Sequence, residues 1–234
     1  MISTVRSAVD LSAVAARGAA DLEGASADQI LTWAVDEFGD GLAVTASMQD
    51  TVLAHLAARV KPGIEVLFLE TGYHFVETIG TADAVEAVYD VKLRRLLPLQ
   101  TVAEQDAQYG AELFSRNPDL CCALRKVAPL NAAMDSYHAW ATGLRRAESA
   151  SRADTPIVSF DAKRGRVKIA PLATWSDEDV DRYIVEHDVL VNPLLSAEFP
   201  SIGCEPCTRR VAPGEDARAG RWAGLTKTEC GLHT

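Results

Sequence analysis

The chain has 234 residues, 48% of them hydrophobic, and a net charge of −10 from 23 Lys and Arg against 33 Asp and Glu. That apolar content suits a protein with a buried core, and the acidic balance excludes general nucleic-acid binding through a basic surface. No run of about 18 apolar residues marks a membrane span, and the N-terminal Met-Ile-Ser-Thr-Val-Arg-Ser-Ala-Val-Asp lacks the basic region and apolar stretch of a secretory leader. The expectation is a cytoplasmic protein whose thiols stay reduced.

Residues 1–25 read as an alanine-rich helical arm, with its helix over 9–21. Ser26 or Asp28 caps a second helix running to about Phe38, and Gly39-Asp-Gly41 ends it. The apolar run 42–46 predicts a buried strand. The polar turn Ser47-Met-Gln-Asp50 leads into a helix over 51–60, ended by Lys61-Pro-Gly63. Residues 64–69 predict a second strand, the turn Glu70-Thr-Gly72 follows, and then a helix over about 75–89 and a third strand over 91–97. A further helical segment precedes a helix over about 120–136, and a strand ends at 140–143. Residues 157–160 and 167–169 predict a hairpin around Lys163-Arg-Gly165, and Ser176 caps a helix reaching Glu186. From Asn192 onward the chain is rich in Gly, Pro and charge and reads as a functional tail of loops.

The alternation of strand, turn and helix is that of a parallel sheet with helices on both faces. Ligands of such sheets sit at the carboxyl ends of the strands, where the turns 47–50 and 70–73 fall.

Chemistry concentrates on five cysteines. Cys121 and Cys122 are adjacent, Cys204 and Cys207 form a Cys-x-x-Cys pair, and Cys230 stands alone near the C-terminus. Only the second pair has the spacing of a zinc knuckle. Adjacent ligands on a helix point about 100° apart, which suits the separate irons of a cluster better than one small ion. Cysteine arithmetic leaves three options: a four-thiolate iron–sulfur cluster, zinc, or buried thiols that bind nothing. Cys230 lies in a polar segment, and a thiol beside a basic pocket is set up as a nucleophile. Basic residues come in pairs: Arg94-Arg95, Arg125-Lys126, Arg145-Arg146, Arg209-Arg210, and Arg218 with Arg221. Such clusters on an acidic protein suit a local pocket for a small anion.

Several stretches together resemble the sulfonucleotide reductases, specifically the assimilatory adenylyl-sulfate (adenosine 5′-phosphosulfate) reductases. They are Leu-Glu-Thr-Gly-Tyr-His-Phe-Val-Glu-Thr (69–78), Cys-Cys-Ala-Leu-Arg-Lys-Val-Ala-Pro-Leu (121–130), Thr-Gly-Leu-Arg-Arg-Ala-Glu-Ser (142–149) and Lys-Ile-Ala-Pro-Leu (168–172). Further on are the segment from Phe199 through the Cys204 and Cys207 pair, Gly-Glu-Asp-Ala-Arg-Ala-Gly-Arg-Trp (214–222) and Glu-Cys-Gly-Leu-His (229–233). The resemblance implies a Rossmann-like sheet of the adenine nucleotide α-hydrolase type, flanked by helices, with a C-terminal cluster-binding and catalytic tail. It implies a [4Fe–4S] cluster on Cys121, Cys122, Cys204 and Cys207. It also implies that Cys230 attacks the sulfate sulfur, carries an S-sulfocysteine and releases AMP. Thioredoxin or a similar dithiol protein would then free sulfite, in sulfate assimilation and cysteine biosynthesis. The basic clamps implied are Lys126, Arg145, Arg146, Arg218 and Arg221, with Arg152 a weaker candidate. Ser47, Thr71 and Gly72 would shape the nucleotide turns. In the turn 47–50 both glycines of the pyrophosphatase phosphate loop are replaced, by Met48 and Gln49, which favours a ligand with a single phosphate.

The expected organisation is an arm over 1–25, an α/β nucleotide-binding domain over 26–190 and a tail over 191–234. Partners expected are the sulfonucleotide and a dithiol protein, with neither nucleic acid nor membrane; a homo-oligomer is left open. Competing readings are activity on the 3′-phosphorylated sulfonucleotide, or on both, and an iron–sulfur redox-sensing regulator. His74, His138 and His187 read as surface or packing residues, His233 is assigned no chemistry, and Trp140, Trp175 and Trp222 read as packing, with Trp222 able to line the pocket.

Overall fold

Six strands form one sheet in the order β3-β2-β1-β4-β6-β5 in the computed structural model, which describes residues 7–225 and 227–233. Two helices precede the sheet, α1 (Ala8–Asp21) and α2 (Ala27–Phe38). Each opens with a capping box, Ser7 with Asp10 and Ser26 with Gln29, which satisfies the first free amides reciprocally. Then come β1 (Leu42–Ala46), α3 (Val52–Val60), β2 (Ile64–Leu69), α4 (Val76–Val88) and β3 (Val91–Leu96). All three strands are parallel. The chain returns through α5 (Val102–Tyr109), the short α6 (Leu113–Arg116), α7 (Pro118–Cys122) and α8 (Ala128–Met134) to β4 (Ala139–Thr142), which pairs with the other edge of β1. The predicted hairpin is β5 (Val158–Asp161) antiparallel to β6 (Arg166–Ile169), and α9 (Asp177–His187) follows with its own capping box on Ser176.

Side chains alternate across the sheet with period two. Leu42, Val44, Ile64, Val66, Phe68, Ala139 and Ala141 pack into the larger core, while Ala43, Leu67 and Trp140 face a second one with Leu130, Ala133 and Met134 of α8.

Two expectations need correction. The arm over 1–25 is not separate: α1 lies against β5 and β6, with Leu11, Val14 and Ala15 buried in the larger core. Only Ala15 and Gly18 of its small residues are buried, a Cβ at Gly18 standing 3.3 Å from Val158 of the hairpin, while Ala8, Ala13, Ala16, Ala19 and Ala20 are exposed, so the buried stripe is narrow and its sequence signal weak. Residues 1–6 of that stretch lie outside the described residues, as do Thr226 and Thr234 of the tail. The helix expected over 120–136 is interrupted by a π-helical turn, Ala123–Val127, in which the Ala128 amide donates to the Ala123 carbonyl.

Leu11 is fully buried. Leu11→Ala is expected to lower stability by about 2–5 kcal/mol in urea titrations, the range for a large-to-small core substitution. A loss below about 0.5 kcal/mol, the level of an exposed site, would restore the picture of a detached arm.

Candidate active site

The strand order reverses at β1, since the chain adds β2 and β3 on one side and β4 on the other. A crevice must open beyond the carboxyl ends of β1 and β4 where the two connections diverge. A cavity of about 360 Å³ lies there, lined by Thr45, Ala46 and Ser47 after β1 and by Thr142, Gly143 and Arg145 after β4. One wall is apolar, with Leu53, Ala54, Leu69 and Leu144. Trp140 and His233 also line it, their rings stacked with centroids 5.7 Å apart.

The turn after β1 departs from a glycine loop yet adopts a glycine-like backbone. Met48 has φ +60° and is fully buried, a left-handed conformation that costs about 1–3 kcal/mol unless its surroundings hold it. They do hold it: Asn192, itself buried, donates to the Met48 carbonyl at 3.1 Å and to Thr78 Oγ1 at 3.0 Å. Gln49 Oε1 accepts from the Ile202 amide at 2.9 Å. The phosphate turn is thereby strapped to the C-terminal segment.

Basic groups converge on the cavity from three directions. Lys126 comes from the π-helical turn, Arg145 and Arg152 from the segment after β4, and Arg218 and Arg221 from the tail. Arg145 pairs with Asp177 at 2.7 Å. Arg221 is half-buried, donates to Ser201 Oγ at 3.3 Å and to the Ile202 carbonyl at 3.2 Å, and stacks on Trp222 at 4.6 Å. Its Nε has no hydrogen-bond partner among the described residues. Burial, and then Arg218 alongside, lowers its pKa from the ordinary arginine value, while Cys230, Cys204 and Cys207 act the other way. Cys230 lines the same cavity.

A second, narrow void is walled by Cys121, Cys122, Cys204 and Cys207 together with Tyr73, Phe114, Pro118, Arg125 and Lys126. The turn after β2 brings these distant segments together. His74 forms a β-bridge with Cys204, and the Glu205 amide donates to the Tyr73 carbonyl at 2.7 Å. Arg125 is buried, donates through Nε to the Thr71 carbonyl and through Nη1 to Gln105 Oε1 at 3.1 Å, and lies 5.2 Å from the Tyr73 ring centroid. Burial, then the neighbouring thiols, pushes Cys121 up to about 12 and Cys207 up to about 11. Burial also raises Cys122. Cys121, Cys122 and Cys207, crowded this way, resist ionisation unless a cationic centre takes up the charge. Among the described residues no group of three or more His, Cys, Asp or Glu side chains is arranged to hold a metal ion. The donor set is all thiol, a set that both zinc and iron–sulfur clusters use.

Lys126 lines both cavities. Burial alone opposes its charge, but Cys204, Cys230 and Cys122 around it outweigh that and hold its pKa above the ordinary lysine value.

Of the residues expected at the substrate site, Ser47, Lys126, Arg145, Arg218, Arg221 and Cys230 line the cleft, and so does Arg152. Three do not. Arg146 turns away, its Nε donating to the Thr155 carbonyl at 2.9 Å. Thr71 is buried with its Oγ1 3.4 Å from Cys204 Sγ, so it serves the thiol pocket. Gly72 has φ +74°, and a Cβ there would meet Arg125 Nη2 at 3.0 Å, so its smallness makes room for Arg125. Two histidines also line the cleft. His74 lines the cleft, with Nε2 donating to the Leu69 carbonyl at 2.7 Å. His233 is half-buried, with its Nδ1 buried and unpartnered among the described residues. Burial first, then Lys168, Arg152 and Arg164, depress its pKa well below the usual histidine value and keep it neutral. Its place in the tail beside Cys230 was the only signal.

A model of the phosphoadenosine phosphosulfate reductase domain matches residues 41–210. The chain belongs to that family. An adenosine 5′-phosphosulfate reductase of Streptomyces coelicolor is 62% identical, with 97% of each chain covered. One from Rhodococcus opacus is 57% identical over 96% of this chain and 95% of that protein. Among solved structures, the phosphoadenylyl-sulfate reductase of Candida auris in its phosphate complex superposes with a TM-score of 0.70 at 27% identity, covering 82% of this chain and 94% of that one. The FMN adenylyltransferase of Candida glabrata, 12% identical with a TM-score of 0.55 over 89% of this chain and 69% of that one, shares the fold alone. The family fold is therefore the expected adenine nucleotide α-hydrolase-like sheet, and members of this family are sulfonucleotide-reducing enzymes. No helix among the described residues is long and apolar enough to cross a membrane.

A Cβ at Gly203 would stand 2.3 Å from Arg221 Nη2 and 2.8 Å from its Nε. Gly203→Ala is expected to displace that guanidinium and raise the Kd of the cleft for inorganic sulfate about tenfold, a change of roughly 1.4 kcal/mol. Calorimetric titration reads it, and an unchanged Kd would remove Arg221 from the anion site.

Proposed function

We propose that this enzyme reduces adenosine 5′-phosphosulfate to sulfite and AMP in the cytoplasm, with thioredoxin or a similar dithiol protein as electron donor. The observation that carries this reading is the meeting of Cys230 with Lys126, Arg218 and Arg221 in one cleft at the switch point of the sheet. The names of relatives 62% and 57% identical over nearly full length support the substrate.

The chemistry follows from charge. A sulfate sulfur is screened by anionic oxygens, so a thiolate reaches it only where positive groups offset the repulsion. The purine would lie against the apolar wall and the phosphosulfate among the cations. The Cys230 thiolate forms a bond to sulfur, the sulfur–oxygen bond to the phosphate breaks, and AMP leaves with that electron pair. Lys126 and the arginines stabilise the charge that gathers on the departing phosphate. The enzyme then carries an S-sulfocysteine. A thiolate of the dithiol protein attacks the Cys230 sulfur and expels sulfite, and its second thiol resolves the mixed disulfide, restoring Cys230 and leaving the partner oxidised.

Cys121, Cys122, Cys204 and Cys207 would hold a [4Fe–4S] cluster, which when bound ties the two cysteine segments together and tunes the field at Lys126. The electrons of the reaction come from thiols. Crowded, all-thiol donors facing one void beside two cations support this assignment.

Incubation with 35S-labelled adenosine 5′-phosphosulfate, without a reductant, is expected to label Cys230 and release one AMP per label, and Cys230→Ser to abolish both. Full turnover in that variant would exclude Cys230 as nucleophile. Lys126→Ala is expected to lower kcat/KM by about 10²–10³, the range for losing one group that stabilises transition-state charge, with iron and sulfide content unchanged. Loss of iron in that variant would assign Lys126 to the thiol pocket alone.

A further inference from the structure

Glu229 precedes Cys230 in the chain and is the acidic side chain on which the cleft arginines converge. Arg152 Nε donates to its Oε1 and Nη2 to its Oε2, both at 2.9 Å, a paired geometry with defined orientation. Arg218 Nη2 lies 3.4 Å from Oε2 and also donates to the Thr228 carbonyl at 3.0 Å. Arg218 thus grips two successive tail residues. The Glu229 and Arg152 side chains are 17% and 13% exposed, so water screens the pair less than it would a surface pair.

Arg152 is held from its other side as well, through Nη1 to Glu148, which also accepts from the Arg145 amide at 3.1 Å. Both faces of that guanidinium are committed to carboxylates. Arg221, by contrast, keeps a buried Nε without a partner among the described residues. The cleft cations therefore divide into one set engaged with the tail and one left for an incoming anion. Beyond Cys230 the tail has a second hold, where Arg164 donates to the Leu232 carbonyl at 3.1 Å and His233 stacks on Trp140.

We propose that Glu229 is a positioning residue: its carboxylate, clasped by Arg152 and Arg218, sets the place of the Cys230 thiol in the cleft. Consecutive Cα atoms are about 3.8 Å apart, so fixing residue 229 leaves Cys230 little room to wander. Glu229 keeps its carboxyl below the usual range although burial opposes this, because Arg152 first and then Arg218 and Arg221 favour the anion. Arg152 in turn acts on the reaction through Glu229 and the tail.

This inference rests on Cys230 being the nucleophile of the proposed reaction, and its test includes a readout independent of that reaction. In the full chain, the rate of iodoacetamide labelling at Cys230, resolved from the other cysteines by peptide mass spectrometry, is compared for wild type, Glu229→Gln and Glu229→Asp. Glu229→Gln keeps the shape and loses the charge; it is expected to label about tenfold faster as the tail opens locally. Its kcat for adenosine 5′-phosphosulfate is expected to fall about 10–100-fold, with KM within about threefold, since a misplaced reacting group costs rate and not affinity. Glu229→Asp, which keeps the charge, lies between the two in both measurements. Labelling at the wild-type rate in Glu229→Gln would overturn the proposal whatever happens to kcat, and so would faster labelling with an unchanged kcat. If the wild type fails to turn over this sulfonucleotide while Glu229→Gln still labels faster, the clasp on Cys230 stands and the substrate reading falls.

Discussion

A half-buried ammonium group among sulfurs governs this site. Lys126 sits on the wall between the nucleotide-sized cleft and the four-thiol void, with Cys122, Cys204 and Cys230 close enough to raise its pKa against the penalty of burial. A lone buried cation would cost several kcal/mol and tend to discharge. Sulfur that carries negative charge removes that penalty, so cation and thiols depend on each other. One side chain thereby lines both sites.

The sharing requires remote segments to arrive together, and the turn after β2 is where they do so. Cys204 reaches it by a β-bridge to His74, and Arg125 reaches it through the Thr71 carbonyl. The Cys-x-x-Cys segment is clamped in turn by the tail, through the Trp222 amide to the Cys207 carbonyl at 2.9 Å and a bridge from Thr208 to Arg221. Neighbouring residues thus face different sites: His74 and Gly203 line the cleft, Tyr73 and Cys204 the void. Thr71 and Gly72, beside the sheet, contact Cys204 and Arg125 on the void side.

Much of the architecture was legible in advance because its signals are local. The strands 42–46 and 64–69 are apolar runs between turn residues, and Ser26 and Ser176 announce their helices by capping chemistry, so the boundaries fell where expected. The cysteines and most of the arginines could be assigned to a site because their residue types and motif context carry the chemistry. What escaped was whatever depends on direction. Arg145 and Arg146 are adjacent, yet one faces the cleft and the other binds the Thr155 carbonyl. Helix α1 shows only a narrow apolar stripe in sequence, yet Leu11, Val14, Ala15 and Gly18 are buried where it packs against the hairpin. Glu229 stands in the Glu-Cys-Gly-Leu-His stretch without an assigned role, because one of its partners, Arg152, lies 77 residues away in the chain.

The π-helical turn between Cys122 and Ala128 acts as a gearing between the two halves of the site. Each residue of an α-helix advances the side-chain direction by about 100°, and a widened turn shifts the phase of everything after it. Here the shift falls between the tandem cysteines and α8, with Lys126 on the widened turn itself. The angular relation between sulfur ligands and cation is therefore written in residue count as much as in residue identity. Adding or removing a single residue in this turn would keep every side chain of the site and still rotate the cation out of phase with the thiols.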